Sequence, residues 1–227
     1  CTGARAAVPP IPGLLASDPL TNESVFDLRE KPESLAILGA GAIGCELAQV
    51  FARLGVRVEL FELATRVLPN ESELASATVA QALTQAGVRI HTGHAVREIK
   101  NGGQVVTDQG NIECERVLVA LGRQPNTDGM KLDDAKVEVD QRGFIVTDNK
   151  LRTTNKKIFA AGDCAAALQF THHADAQARV LVQNALFPAT AKVDGLVVPH
   201  CTYTQPEVAS VGASAEQLRA SGMDYDE

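Results

Sequence analysis

The 227-residue sequence lacks long apolar runs, a basic excess and closely spaced cysteines. No apolar run approaches the roughly 18 residues of a membrane-spanning helix, and no charged region followed by an apolar one begins the chain. A formal net charge of -7 argues against an electrostatic surface for nucleic acid or for an anionic membrane. We therefore expect a cytoplasmic chain that binds neither.

The five cysteines are scattered along the sequence and include no C-x-x-C pair, so they predict reduced thiols rather than a metal or redox site. Cys45 begins a predicted helix, where the pKa of a thiol can fall. Packing of that helix against a sheet is the alternative and is the favoured interpretation. His172 and His173 are also expected not to bind a metal, because neighbouring helical residues point in different directions.

A glycine-rich stretch, "LAILGAGAIGCELAQ", organises the first half of the chain. Leu35 to Leu38 is an apolar run typical of a buried strand, and it leads into the spacing G-x-G-x-x-G at Gly39, Gly41 and Gly44. In dinucleotide-binding folds the first glycine permits a tight turn, the second lets the backbone approach a pyrophosphate, and the third packs helix on strand. The alternative is a βα turn without a ligand.

Glu62 strengthens the dinucleotide interpretation. It ends a second predicted strand, Val56 to Phe61, and lies 18 residues beyond Gly44, where a ribose-binding acid is expected. The alternative for Glu62 taken alone is an ordinary surface charge at the end of a strand.

The segment 34–150 alternates strands and helices in the pattern of a doubly wound α/β domain. Helices are predicted over Ile43–Leu54 and over Glu71–Ala86, the second capped by Asn70 and burying a stripe that includes Leu74. "AVREIK" and "QVVT" predict a hairpin with its turn at Asn101-Gly102-Gly103, and "NIECERVLVALG" is expected to return to the parallel sheet.

Two further strand ends carry candidate binding residues. Gly122 ends the strand in "RVLVALG", and Gly162-Asp163 ends a buried strand predicted at Ile158–Ala161. Asp163 could accept hydrogen bonds from a polyol or could cap the following helix. That helix is predicted to be capped by Thr171 and to bury the residues Ala174, Ala178, Leu181, Val182 and Ala185.

These blocks, in this order, with "CTGARAAVPPIPGL", "LVALGRQPN" and "VPHCTYTQPEVASVG", resemble the flavin-dependent pyridine nucleotide-disulfide oxidoreductases, and especially their mercuric-reductase-like and dihydrolipoamide-dehydrogenase-like members. The resemblance implies a Rossmann-like NAD(P)-binding domain with an antiparallel β insert, part of an FAD-binding domain and the start of an α+β interface domain. The implied segments are 1–33 (end of the first FAD segment and linker), 34–150 (NAD(P)H), 151–193 (second FAD segment) and 194–227 (start of the dimerisation domain).

By position, the resemblance puts the NAD(P)H pyrophosphate over the glycine loop Gly39, Ala40, Gly41, Ala42, Ile43 and Gly44. It implies that Glu46 lies near the nicotinamide, although an acid in the first turn could instead complement the helix dipole. Glu62 would bind the adenosine ribose, and Val96 and Gly122 would line the adenine end. The implied FAD contacts are Gly162 and Asp163 at the ribitol, and Gln169, Phe170, Thr171 and His172 beneath the flavin.

The resemblance also implies what the sequence does not contain. The family's FAD-seating glycine motif, its redox cysteine pair and its acid-base His and Glu are expected outside these residues, so no catalytic residue is predicted within the chain and we interpret it as a fragment of a homodimeric parent. The implied cofactors are FAD and NADH, with NADPH possible, and the implied substrate is a small molecule or a disulfide. We expect the isolated chain to be colourless, inactive and prone to associate.

Two functions of other classes remain as alternatives. A dinucleotide-binding sensor would have no need of a second acid such as Asp163, and a flavin-independent Rossmann dehydrogenase would need a substrate domain with its own acid or base.

NADH is expected to bind better than NADPH, because a 2'-phosphate would lie against the carboxylate of Glu62. Arg66 could offset that repulsion.

Overall fold

The computed structural model describes residues 1–100, 103–166, 168–188 and 190–226. The chain forms two compact units. One unit, called here the sheet unit, comprises residues 6–122 and 201–227, and the other, called the loop unit, comprises residues 1–5 and 123–200. Each unit is described by itself.

The helices are α1 (Ala42–Arg53), α2 (Glu73–Gln85), α3 (Thr171–Leu186) and α4 (Ala215–Ser221), with 3-10 turns at Leu15–Ser17 and Ser24–Asp27. The strands are β1 (Ala4–Ala6), β2 (Ser34–Leu38), β3 (Arg57–Glu62), β4 (Arg89–Thr92), β5 (Val96–Lys100), β6 (Gln104–Thr107), β7 (Gly110–Glu113), β8 (Arg116–Val119), β9 (Arg123–Pro125), β10 (His200–Thr202) and β11 (Val208–Ser210).

A four-stranded parallel sheet in the order β4-β3-β2-β8 forms the centre of the sheet unit. Every residue of β2 is buried, because α1 and α2 pack on the core beside it while a second apolar cluster covers the other face. Parallel strands covered on both faces are continuously apolar, as the run from Leu35 to Leu38 is. The predicted doubly wound order of strand, helix, strand, helix and strand is confirmed.

The antiparallel insert is the three-stranded sheet β5-β6-β7. The hairpin pairing is as predicted, although its turn residues Asn101 and Gly102 lie outside the described residues. The prediction was wrong for "NIECERVLVALG": its first part is β7, paired antiparallel with β6, and only β8 returns to the parallel sheet. The chain changes sheets at Cys114, whose N–H donates to the Gly103 carbonyl.

The boundaries of α2 differ from the prediction. Its N-cap is Ser72, whose side chain accepts the N–H of Ala75, rather than Asn70. Leu74 is 78% exposed, whereas Val79 and Leu83 face the core. The buried stripe runs through Ser76, Val79 and Leu83, and Leu74, at the second position of the helix, lies outside it.

In the loop unit, the residues from 137 to 161 do not form the predicted buried strand at Ile158–Ala161. They are joined by isolated antiparallel bridges, Val139 with Ile145, Thr147 with Thr153, and Arg152 with Phe159. Turn hydrogen bonds between these bridges, such as Asp148 N–H to the Arg152 carbonyl, take the place of a continuous ladder. Strand propensity was therefore overridden by tertiary context.

The buried face of α3 was also predicted wrongly. Its N-cap is Phe170, without a side-chain cap, and the residues it buries are polar: His173, Gln177 and Asn184. Val182 is 51% exposed. Each buried polar side chain has hydrogen-bond partners, which is how polar groups become stable in an interior.

The last residues described form the strand pair β10-β11 and helix α4. The predicted capping box is confirmed: Ser214 and Gln217 each accept the other's backbone N–H through their side chains. Among the helices in the part of the chain that the structure describes, none has the length and apolar character needed to cross a membrane.

Candidate nucleotide-binding sites

The glycine loop between β2 and α1 lies at the carboxyl end of the parallel sheet. Gly39 has φ +100°, and a Cβ built on it would lie 2.4 Å from the Ala120 carbonyl oxygen. A Cβ on Gly44 would lie 1.9 Å from the Gly39 carbonyl oxygen. Both positions therefore require glycine, one for the turn and one for the close packing of helix on strand.

Gly41 differs from the other two glycines of the motif. Its φ of -72° is open to any residue, and a Cβ there would have no atom within 4 Å. The space beside Gly41 is thus open, at the start of α1, where the first N–H groups of a helix have no partner within it. A pyrophosphate fits this place because it needs close backbone approach and N–H donors.

Glu62 is held against this loop by its carboxylate. The N–H of Ala40 donates to Oε2 at 2.8 Å, and the N–H of Ala64 donates to Oε1 at 2.9 Å. The structure thus brings Glu62 against the glycine loop, and backbone N–H groups orient its carboxylate.

Three other predicted residues lie elsewhere in the sheet unit. Glu46 lies in α1 and its Oε1 accepts the N–H of Tyr203 at 2.8 Å. Val96 begins β5 and is half-buried. Gly122 has φ +109°, and its carbonyl accepts the N–H of Ala7.

Cys45 packs beneath the loop, and its thiol contacts the Ala40 carbonyl oxygen at 3.3 Å. Burial raises the pKa of the Cys45 thiol to about 12; a hydrogen bond with the Leu68 backbone opposes this, and the carboxylates of Glu62 and Glu46 add to it. A thiol that resists ionisation is a poor nucleophile. The interpretation of Cys45 as a packing residue is the one that this environment supports.

A second candidate site lies within the loop unit, in a cavity of about 430 Å³. Its lining includes Gly162, Asp163, Gln169 and Thr171, all of which were predicted from the sequence. Gly162 has φ +76° and packs closely on α3, since a Cβ there would lie 3.3 Å from that of Ala174.

Arg123 also lines this cavity and was not predicted. Its guanidinium pairs with Asp163 Oδ2 at 3.3 Å and donates to the Ala4 carbonyl at 2.7 Å, while its buried Nε has no hydrogen-bond partner in the part of the chain that the structure describes. A buried donor without an acceptor is costly, which indicates that the site can accept an oxygen-rich ligand. The only signal in the sequence was a cation directly after Gly122.

The remaining predicted residues lie at the start of α3. Phe170 stacks on His172, with ring centroids 5.5 Å apart, and on His200 at 5.8 Å. His172 Nε2 lies 2.7 Å from the Pro199 carbonyl oxygen. Gln169 makes a long contact of 3.5 Å from its amide to the Asp163 carbonyl. Among the described residues, no group of three or more His, Cys, Asp and Glu side chains could hold a metal ion.

The sequence matches known proteins over almost all of its length. A family model described as pyridine nucleotide-disulphide oxidoreductase matches residues 1–178. The chain belongs to this family. Its members depend on FAD and NAD(P)H, as the resemblance implied.

Two curated relatives illustrate the range of the family. The chain is 36% identical over 230 residues to a mercuric reductase of Staphylococcus aureus, covering 98% of this chain and 42% of that protein. It is 37% identical over 207 residues to a dihydrolipoyl dehydrogenase of Chlamydia muridarum, covering 90% of this chain and 44% of that protein. The chain thus spans less than half the length of these relatives.

Solved structures agree with the fold. The HOCl-induced flavoprotein disulfide reductase RclA from Escherichia coli superposes with a TM-score of 0.90 at 34% identity, over 99% of this chain and 53% of that one. A water-forming NADH oxidase from Lactobacillus brevis, bound to NADH, superposes with a TM-score of 0.82 at 26% identity over 97% of this chain and 53% of that one.

Proposed function

We propose that this chain supplies the NAD(P)H-binding segment and part of the FAD-binding segment of a flavoprotein oxidoreductase that acts as a homodimer. When bound, the two nucleotides supply hydride transfer from nicotinamide to flavin, from which electrons pass to a disulfide or a metal ion. The observation that carries the proposal is the carboxylate of Glu62, clamped by backbone N–H groups beside the open space at Gly41.

The sheet unit has the donors and the acceptor that a dinucleotide needs. The start of α1 offers backbone N–H groups and a positive dipole end to a pyrophosphate, an interaction of about 0.3–2 kcal/mol. The carboxylate of Glu62 offers acceptor lone pairs to ribose hydroxyls. A residue with a Cβ at Gly41 would fill the space that the pyrophosphate requires.

The loop unit has a donor and acceptor set that suits FAD. Asp163 would accept hydroxyl hydrogen bonds from the ribitol, and the orphan Nε of Arg123 would find an acceptor oxygen. The start of α3 lacks a side-chain cap, so its first N–H groups and dipole would favour negative charge on a flavin ring. This acid and arginine favour an FAD enzyme over a sensor or a flavin-independent dehydrogenase.

We infer a preference for NADH over NADPH from the same carboxylate. A 2'-phosphate at Glu62 would bring like charges within a few ångströms, which costs on the order of 1–4 kcal/mol near a protein surface. Arg66 does not offset this, because its guanidinium donates to the carbonyls of Pro69 and Glu71 and lies 3.5 Å from Glu73.

Calorimetric titration of the chain with each nucleotide tests the preference. NADH should bind about tenfold or more tightly than NADPH. Glu62→Gln should narrow that ratio, whereas Arg66→Ala should leave it unchanged. Circular dichroism of both variants checks that the fold is retained. Equal affinities of the unaltered chain for the two nucleotides would contradict the role given to Glu62.

A further inference from the structure

A chain of buried hydrogen bonds connects α3 with the turn that carries Asp163. The N–H of Gly162 donates to Oε1 of Gln177 at 2.7 Å. The amide nitrogen of Gln177 lies 3.2 Å from Nε2 of His173, whose Nδ1 lies 2.8 Å from the Leu168 carbonyl oxygen. His173 is 9% exposed and Gln177 is 6% exposed, so water has little access to replace these contacts.

This chain of hydrogen bonds from Gly162 through Gln177 and His173 to Leu168 is called here the relay. One backbone group decides which atom donates and which accepts in each of its bonds. A backbone N–H can only donate, so Gln177 must present its carbonyl oxygen to Gly162 and its NH₂ to His173. Nε2 of His173 must then accept, which leaves the ring proton on Nδ1. That nitrogen faces the Leu168 carbonyl, an obligatory acceptor, so the last bond has the required direction as well.

The relay ends at Gly162, which lines the candidate flavin site. Gly162 precedes Asp163, which pairs with Arg123, and both charged residues line the cavity of the loop unit. Gly162 also accepts the N–H groups of Ala165 and Ala166 through its carbonyl, so its peptide groups are held on both sides. The position of the Asp163 backbone therefore depends on the hydrogen bond between Gln177 and the neighbouring Gly162.

We propose that His173 and Gln177 are positioning residues that hold the Gly162-Asp163 turn in the geometry that binds FAD, with His173 fixed as the neutral Nδ1–H tautomer. The part that concerns FAD rests on the proposed function, whereas the relay and its tautomer do not. Neither residue touches the ligand. They act through the backbone N–H of Gly162.

Substitutions of Gln177 separate the two halves of the relay. Gln177→Leu keeps the approximate shape and removes both hydrogen bonds. Gln177→Glu keeps an acceptor for Gly162 and, as a carboxylate, presents a second acceptor oxygen to His173, so we expect Nε2 of that ring to gain a proton. Gln183→Leu makes the same chemical change as Gln177→Leu at an exposed position of the same helix and serves as the matched control.

Nuclear magnetic resonance of the chain measures the His173 tautomer and the protection of the Gly162 N–H without any cofactor. Long-range proton–nitrogen correlation should find His173 protonated on Nδ1 and not on Nε2 in the unaltered chain, and protonated on Nε2 in Gln177→Glu. Hydrogen exchange at Gly162 should become about ten- to a hundredfold faster in Gln177→Leu and stay slow in Gln177→Glu and Gln183→Leu. An Nε2–H tautomer in the unaltered chain, or unchanged Gly162 exchange in Gln177→Leu, would overturn the relay.

Titration with FAD then tests what the relay positions. The amide signals of Gly162 and Asp163 should move on adding FAD, at about tenfold higher concentration in Gln177→Leu than in the unaltered chain, with recovery in Gln177→Glu. Asp163→Asn should weaken FAD binding while leaving the His173 tautomer unchanged. Equal FAD affinity in Gln177→Leu and the unaltered chain overturns the positioning role. The chain is expected to lose FAD during purification, so the titration uses excess FAD; absence of any response to that excess overturns the proposed FAD function, and the tautomer and exchange results then decide the relay alone.

Discussion

The parallel sheet of the sheet unit and helix α3 of the loop unit bury different kinds of side chain. In the sheet unit, β2 and β3 place apolar residues on both faces of a parallel sheet, with Leu60 on one face and Phe61 on the other. In the loop unit, α3 buries His173, Gln177 and Asn184, and the segment beside it is joined by isolated bridges.

The difference reflects which groups satisfy the backbone hydrogen bonds in each unit. A parallel sheet satisfies its backbone groups within its ladders, so its side chains are free to be apolar. The loop unit has few ladders, so buried side chains must supply hydrogen bonds to backbone groups. Asn184 does this by donating to the carbonyls of Lys150 and Ala191 and accepting the N–H of Ala191. The stability of the parallel sheet therefore depends mainly on the packing of apolar side chains. The stability of the segment packed on α3 depends on correctly oriented hydrogen bonds.

The largest effect is expected from a packing change in the sheet unit. Leu60 is fully buried, so Leu60→Ala should lower the free energy of unfolding by about 2–5 kcal/mol through lost burial and a residual cavity. Leu63→Ala, at a side chain that is 71% exposed, should change it by less than about 0.5 kcal/mol. Urea denaturation measures both, and equal losses would show that packing does not dominate this unit.

The next effect concerns the buried charge in the sheet unit. Glu59 is fully buried, its Oε1 pairing with Arg57 and Arg89 at 3.2 and 3.3 Å and its Oε2 lying 2.9 Å from Nε2 of His91. Glu59→Gln removes the buried charge that pairs with two guanidinium groups and should cost about 1.5–3 kcal/mol in the same denaturation experiment.

The matched control for the buried charge is Glu98→Gln, at a half-exposed carboxylate that pairs with Lys100. It should cost less than about 1 kcal/mol, because exposed ion pairs contribute little. If Glu59→Gln is as mild as its control, the buried network is dispensable and the sheet unit depends on packing alone.

In the loop unit, a more apolar side chain is expected to destabilise. Asn184→Leu adds hydrophobic character at a position that is 6% exposed, but it leaves the Ala191 N–H and carbonyl without their partner. A loss of about 1–3 kcal/mol should follow. Hydrogen exchange at Ala191 should accelerate in parallel. A stabilised Asn184→Leu variant would mean that apolar burial contributes more at this position than the hydrogen bonds to Ala191, as it does in the parallel sheet.

The smallest effect is a pH dependence in the loop unit. Burial acts to raise the pKa of Asp148, but hydrogen bonds from the backbone of Arg152 and Lys150 and from the Arg152 guanidinium lower it below its usual range. Because the folded value is depressed, Asp148 contributes stability above the unfolded pKa of about 3.9, and this contribution is lost as the pH falls through the folded value.

Asp148→Asn should therefore be slightly less stable than the unaltered chain at neutral pH, with the difference disappearing as the solution is acidified. Thermal unfolding followed from neutral pH to about pH 2 measures this. Asp175→Asn, at an exposed carboxylate of α3 paired with Arg179, is the control for loss of an ion pair in the same unit. A constant difference at all pH values would contradict the assignment to Asp148.

Sequence patterns predicted the sheet unit well because its interactions are local or periodic. The glycine spacing and the apolar run before it reflect requirements of the βα turn that any such sequence must meet, and Glu62 ends the neighbouring strand, where a ribose-binding acid is expected. The β7 strand was missed because the stretch "NIECERVLVAL" contains no glycine or proline that would mark a break between two strands. The change of sheet at Cys114 depends on pairing with β6 rather than on composition.

The loop unit was predicted less well. Apolar periodicity suggested that Val182 and Ala185 are buried in α3, but the buried face is a neighbouring one, whose polar side chains hydrogen-bond to distant backbone groups. Arg123 was likewise missed, because its meeting with Asp163 joins residues that are 40 positions apart in the chain.

The sequence by itself determined the order of strands and helices around the glycine loop, the glycine positions and the acid beside them, because turn sterics and apolar burial act over a few residues. Only the tertiary structure decided that Ala40 and Ala64 orient the Glu62 carboxylate, that Arg123 meets Asp163, and that Gln177 holds Gly162. Hydrogen bonds are directional and join groups far apart in sequence, so they exist only once the fold has brought both partners to within about 3 Å.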